Sequence, residues 1–281
     1  MSLLFRTWIA CALGALTQTG CAGCPPPESP AASAPDTGGQ ALPPAVAAAV
    51  GAADRSSEDR ALDPGRKPGE TLAFFEVAPG QRVAELGAGA GYTTELLARV
   101  VGPIGTVFAQ NSQFILQRFA ERPWAERLQK SVMSRVVRVD RDFDDPFPPE
   151  ANQLDAVINV LFYHDTVWFG VDRDRMNARV YAALRPGGLY GIVDHSAAPG
   201  AGVSVAGTLH RIEERTLVAE VTRAGFVLEA SSGFLRNPGD PRDWNAAPRA
   251  AGARRGTSDR FVLRFRKPRS RSLMPPPAGS L

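Results

Sequence analysis

Three histidines, two aspartates and one run of glycines are the residues of this 281-residue chain whose types and spacing could do chemistry. The glycines, Gly87, Gly89 and Gly91, stand at alternate positions shortly after Glu85. Glycine lets a backbone turn sharply and lets a ligand approach where a Cβ would block it. Such a turn at the start of a helix adds unpaired N–H donors and a partial positive charge. Glu85 adds a carboxylate, which suits a ligand bearing a positive amine and not a pyrophosphate. A dinucleotide fingerprint reads G-x-G-x-x-G/A, but here the sixth position is Tyr92. His164 precedes Asp165, His195 follows Asp194, and the third histidine is His210. Histidine titrates near neutrality and can take up a proton, and a carboxylate beside it can orient it or its partner. His164, Asp165, Asp194 and His195 are also an acceptable metal-ligand set. Nothing in their spacing fixes a coordination geometry, so no metal is expected.

Elements must carry these residues to one place. Arg82–Leu86 reads as a short strand, and Leu96, Leu97, Val100 and Val101 at helical spacing predict a helix over Tyr92–Val101. A second strand over 105–109 ends in Gln110-Asn111. Ser112 can cap a helix over 113–121, followed by a break at Pro123-Trp124. Strand three, 135–139, leads to Asp142-Phe143. The apolar run LDAVINVL, 154–161, predicts a buried parallel strand that delivers Phe162-Tyr163-His164-Asp165. A helix over 172–184 turns through Arg185-Pro186-Gly187-Gly188 into strand five, 189–193, which ends in Asp194-His195. His210 lies in the loop beyond, before a helix over 212–224, a sixth strand over 226–230, a polar loop over 237–256 and a last strand over 260–265. Ahead of the first strand, 70–76 reads as a helix packing Leu72, Phe74 and Phe75. Asp59 and Arg66 read as solvated loop charges, with contacts from a lid over a ligand as the alternative. Strands alternating with helices predict an α/β, doubly wound sheet. Such sheets bind ligands at the carboxyl ends of their strands, where all three histidines fall.

With Glu85, Gly87, Gly89 and Gly91, and with the L-R-P-G-G turn at 184–188, the chain resembles class I S-adenosylmethionine-dependent methyltransferases over about 55–267. More narrowly, it resembles a group of bacterial predicted methyltransferases that often carry export leaders and have no settled substrate. The resemblance implies a Rossmann-like sheet of seven strands, mostly parallel, with an antiparallel last strand between the fifth and sixth. It implies S-adenosyl-L-methionine as cofactor, contacted by Glu85, Gly87, Ala88, Gly89, Gly91, Tyr92, Asn159 and Tyr163. Asp142 would meet the adenine amine, and the Phe143 N–H a ring nitrogen. The family's ribose-binding acid is replaced by Gln110-Asn111, whose amides could still hold the hydroxyls. His164 or His195 would act as general base on an acceptor, with Asp165 or Asp194 orienting it and Tyr163 stacking on or bonding to a ligand. The acceptor reads as a small molecule. The rivals are a cofactor-binding protein without turnover, a nicotinamide oxidoreductase, disfavoured by Tyr92 and Glu85, and a nucleic-acid methyltransferase. The last would need an N-P-P-Y type signature where strand four ends in NVLFYHD.

Composition sets the remaining bounds. Hydrophobic residues are 44%, enough for one sizeable core. The net charge of +3 is uneven: nine of the 32 basic residues, against one of the 29 acidic, lie in 249–271, so the remainder is acidic. A basic end can bind nucleic acid or anionic lipid, but here it reads as solvated. All three cysteines lie at 11, 21 and 24, leaving the folded part without a disulfide or thiolate site. Residues 1–24 read as an export or lipoprotein leader, 25–53 as a disordered Pro/Ala-rich linker in which 45–53 could make a weak helix, 54–267 as the methyltransferase-like domain and 268–281 as a disordered tail. That leader would export the protein or tether it to a membrane; the alternative is an early start codon ahead of a cytoplasmic protein.

Overall fold

The computed structural model describes residues 41–269. Seven strands form one sheet: β1 (Arg82–Leu86), β2 (Thr106–Asn111), β3 (Val136–Asp140), β4 (Leu154–Val160), β5 (Leu184–His195), β6 (Val227–Ser232) and β7 (Arg260–Arg266). Their order is β3-β2-β1-β4-β5-β7-β6. β1 to β5 pair in parallel, and β7 runs antiparallel to both β5 and β6. The α/β, doubly wound sheet expected above is therefore present, with its antiparallel last strand between the fifth and sixth. Order reverses beside β1, and this is where open α/β sheets bind ligands. The register brings Leu86 opposite Asn159, and Val160 opposite Val193, so β1, β4 and β5 end at a similar level.

Side chains alternate across each strand, and the sheet feeds two apolar layers. Val83 faces one with Leu72, Phe75, Leu96 and Leu97; Ala84 and Leu86 face the other with Met176, Val180, Leu217 and Val221. The helix Tyr92–Val101 buries all four of its predicted apolar residues. Helix 70–76 is found at Pro68–Phe74; Leu72, Phe74 and Phe75 share the apolar layer of Val83 in β1, and Phe75 also packs against Gly191 of β5.

Two expectations need correcting. The linker is not a disordered tether up to 53: the weak helix that the sequence allows over 45–53 is formed at Pro44–Gly51 and buries Val46 and Ala49 against the helix Tyr92–Val101. Alanine-rich sequence reads as tether, yet one valine at the right position docks it. The chain also does not break at Pro123-Trp124. After Ser112 caps Gln113–Ile115, a π-helical turn covers Leu116–Ala120 and a helix follows over Glu121–Leu128. Pro123 sits in the first turn of that helix, where a backbone N–H has no helical partner anyway. The leader, the linker up to 40 and the tail from 270 lie outside the described residues. Among the described residues no helix is long and apolar enough to cross a membrane.

The irregular segment 233–259 lies over the carboxyl edge of the sheet, and Asp240 pins it. This buried carboxylate accepts hydrogen bonds from Arg211 Nη1 (2.8 Å), Trp244 Nε1 (2.7 Å), the Arg242 N–H (3.0 Å) and the Asp259 N–H (2.6 Å). Arg211 is itself fully buried.

Candidate active site

A cavity of about 290 Å³ opens at the carboxyl ends of β1, β4 and β5. The glycine turn forms its floor. Gly87 (φ 69°) lies against the ring of Phe162, where a Cβ would come within 2.4 Å, and Gly91 (φ 84°) lies against Trp124, at 2.5 Å. Only glycine satisfies both the left-handed backbone and these close approaches.

Glu85 faces this cavity and is 3% exposed. Burial pushes its pKa up to about 7, partly countered by hydrogen bonds from Thr94 and Thr93 and by Arg66. Arg66 lies on the Tyr92 ring, 4.4 Å from its centroid. The Tyr92 hydroxyl donates to Asp63 (2.6 Å), which also receives both Arg55 amines at 2.7 Å. Arg127 ties Asp59 (2.6 Å) to the Ala90 carbonyl (2.6 Å). Asp59 and Arg66 are thus cavity-wall residues and not solvated loop charges.

The second strand's amides are not open to a ribose. Gln110 and Asn111 are fully buried. Gln110 Oε1 accepts from the Gly87 N–H (3.1 Å), and its amide donates to the Arg141 carbonyl (2.6 Å). Asn111 Oδ1 accepts from the Gly89 N–H (2.8 Å), and its amide returns a bond to the Gly89 carbonyl (3.1 Å). Their role here is to hold the glycine turn. Two further expectations change likewise. Tyr163 is fully buried, its hydroxyl donating to Glu220 (2.9 Å) and accepting from Asn177 (2.8 Å), so it packs in the core and does not meet a ligand. Asn159 is buried within β4 and does not line the cavity. Asp142 and Phe143 line a separate hollow with Ser112, Phe114 and Trp168. Phe143 stacks on Phe162 at 4.7 Å, which links the two hollows.

All three histidines line the main cavity. Asp194, fully buried at the end of β5, gathers two of them, His164 and His195. It accepts from the His164 N–H (2.8 Å), meets His164 Nδ1 (2.6 Å) and accepts from the His195 N–H (2.7 Å). His164 Nε2 lies 3.1 Å from Asp165 Oδ1, and His210 Nδ1 lies 2.8 Å from the same oxygen. Burial would lower the His164 pKa, but Asp194 and Asp165 outweigh it and carry it up to about 10. Burial and the neighbouring His164 push that of His195 well down. His195 Nδ1 meets the Ser258 hydroxyl at 2.7 Å, and its ring lies 5.5 Å from that of His164. His195 also lines an adjoining chamber of about 350 Å³ with Arg66, Arg255 and Arg260. The cluster His164, Asp165 and His210 could hold a metal ion, since its ligand atoms all lie within 4.8 Å of one another.

Sequence reasoning named Glu85, the turn and the histidines, and it missed Phe162, Thr94, Arg127 and Ser258 as parts of the site. Thr94 carried a weak signal, one helical turn into the helix that the glycines open. Arg127 and Ser258 carried none, because only folding brings them there.

Known proteins resemble the chain at this edge. Residues 67–151 match the family described as protein-L-isoaspartate(D-aspartate) O-methyltransferase. An arsenite methyltransferase of Halobacterium salinarum is 30% identical over 141 residues, half of this chain and 34% of that relative. The chain therefore spans about a third of that curated relative. A SAM-dependent methyltransferase from Aquifex aeolicus superposes with a TM-score of 0.52 at 16% identity, covering 75% of this chain and 97% of the other. The fold is that of the class I methyltransferases. An arsenic(III) S-adenosylmethionine methyltransferase from Chlamydomonas reinhardtii shares this fold with a TM-score of 0.50 at 16% identity, covering 83% and 76%.

Proposed function

We propose that the chain is an S-adenosylmethionine-dependent methyltransferase acting on a small-molecule acceptor. Glu85 is the observation that carries this reading. It is a buried carboxylate at the end of β1, beside a glycine turn and within the field of Arg66. A buried charge needs a partner. The cofactor's ammonium would meet Glu85, and its carboxylate would meet Arg66. His195 is the better-placed base for the acceptor. Its Nδ1 is held by Ser258, and it stands between the cofactor cavity and the adjoining chamber. His164 has both ring nitrogens engaged by carboxylates. In the transfer step, an acceptor O–H or N–H gives its proton to His195 Nε2. When bound, S-adenosylmethionine would supply an electrophilic methyl group and leave as a neutral thioether, with His195 keeping the acceptor's proton.

The arsenite activity of the curated relative does not transfer easily. Arsenic(III) is soft and prefers thiolates, and residues 41–269 contain no cysteine. A protein that holds the cofactor without turning it over is the second reading, favoured by the engagement of Gln110 and Asn111 in the turn. Isothermal titration of the full chain with S-adenosylmethionine and with NAD tests the proposal. Saturable binding of the first alone supports it, and binding of NAD alone overturns it. Methyl transfer to any acceptor in a screen with labelled cofactor separates enzyme from binding protein.

A further inference from the structure

We infer that His164, Asp165 and His210 form a binding site for one divalent first-row transition-metal ion. The ion site stands whether or not the cavity also holds S-adenosylmethionine. Ligand atoms bound at about 2.1 Å to one ion stand roughly 3 to 3.5 Å apart. Here Asp165 Oδ1 lies 3.1 Å from His164 Nε2, within that range, and 2.8 Å from His210 Nδ1, just short of it, and the three ligand atoms all lie within 4.8 Å of one another. The two histidines come from chain segments 46 residues apart, so no local turn explains their meeting.

Three surrounding features point the same way. Behind His164, the Asp194 carboxylate meets Nδ1 at 2.6 Å. A carboxylate in that position fixes the ring and turns Nε2 towards an ion, as at many protein metal sites. Beside Asp165, Trp168 Nε1 donates to Oδ1 at 2.7 Å and holds the carboxylate in place. His210 sits at φ 52° and ψ 54°, a left-handed backbone in which histidine is among the more frequent residues after glycine, and this turn delivers its ring to the cluster.

The donor set chooses the ion class. Two imidazoles and one carboxylate suit zinc or iron(II), while magnesium and calcium favour all-oxygen sites. Three protein ligands leave coordination positions free, and His164 and His210 both line the cavity. An ion there can bind an oxygen atom of a second molecule within the cavity. Resting on the proposed function, the acceptor class is then a hydroxyl compound able to coordinate a metal, deprotonated towards His195.

The test uses the full chain, stripped with a chelator and titrated with Co²⁺ as a visible probe of such sites. The expected result is one equivalent bound, with d–d absorption and no contribution from sulfur in the 41–269 domain. His210→Ala and Asp165→Asn should each weaken Co²⁺ at least 100-fold, and Asp194→Asn should weaken it about 10-fold. His210→Gln, of similar length, serves if His210→Ala melts early. Glu85→Gln should keep the cobalt signal while losing the cofactor, so failure of one reading is distinguishable from failure of the other. Wild-type protein that binds no Co²⁺ or Zn²⁺ at 100 µM, or a His210 variant that binds like wild type, overturns the inference.

Discussion

Glu85 sets the site's dependence on pH. Burial penalises its charge and pushes its pKa up to about 7. Only the ionised form attracts an ammonium, so cofactor affinity should rise as pH goes from 6 to 8. In Glu85→Gln that rise should vanish and Kd should increase about 10- to 100-fold, the worth of one charge-assisted hydrogen bond; titration calorimetry at both pH values reads it. The stability of the ligand-free protein should move the other way. A carboxyl whose folded pKa is raised stabilises the fold below its unfolded pKa, and that stability is lost as pH rises through 7. The loss is of the order of 2–3 kcal/mol, and a falling Tm between pH 5 and 8, absent from Glu85→Gln, would show it. Gly91→Ala must displace Trp124 and adopt φ 84°, so it should cost about 2–4 kcal/mol in urea unfolding. The glycines and Glu85 were legible in the sequence because their chemistry is local. Gln110 and Asn111 were not, since an amide that binds a ribose and an amide that binds the neighbouring turn look alike until the turn folds over them.

At the scale of elements, periodicity carried most of the information. Strands β1 and β4 and the helix Tyr92–Val101 follow from apolar spacing within a residue. The helix Pro44–Gly51 carries only a weak helical signal, and the segment Leu116–Leu128 holds a proline that reads as a break; tertiary contacts override such local signals there. Val46 is fully buried although its neighbours are mostly alanine. Removing residues 1–53 should therefore lower Tm by several degrees by uncovering the helix Tyr92–Val101. If Tm is unchanged, the first helix adds nothing. Gln110→Ala should lower Tm with and without cofactor, because it frees the Gly87 N–H and the Arg141 carbonyl together. A variant that loses ribose affinity alone, at wild-type Tm, would restore the amide to the role first expected of it.

For the molecule as a whole, the fold class was readable and the meeting of distant parts was not. Alternating strands and helices predict the sheet, and the sheet predicts that the histidines share an edge. That His164, Asp165 and His210 touch is a product of the 206–210 turn and the segment over it, where no period exists to be read. Asp240 is the hinge pin of that arrangement, receiving four donors from three stretches of chain. Asp240→Ala leaves the Arg211 guanidinium buried without its partner and should cost about 3–5 kcal/mol. Its reach extends to time as well as energy. Loops exchange their amide hydrogens quickly as a rule, since they open without unfolding the rest. The N–H groups of Arg242 and Asp259 end on a carboxylate that cannot move unless Arg211 moves with it. These two amides, in a stretch with almost no regular structure, should therefore exchange as slowly as the centre of the sheet, and a protease should find 237–259 closed.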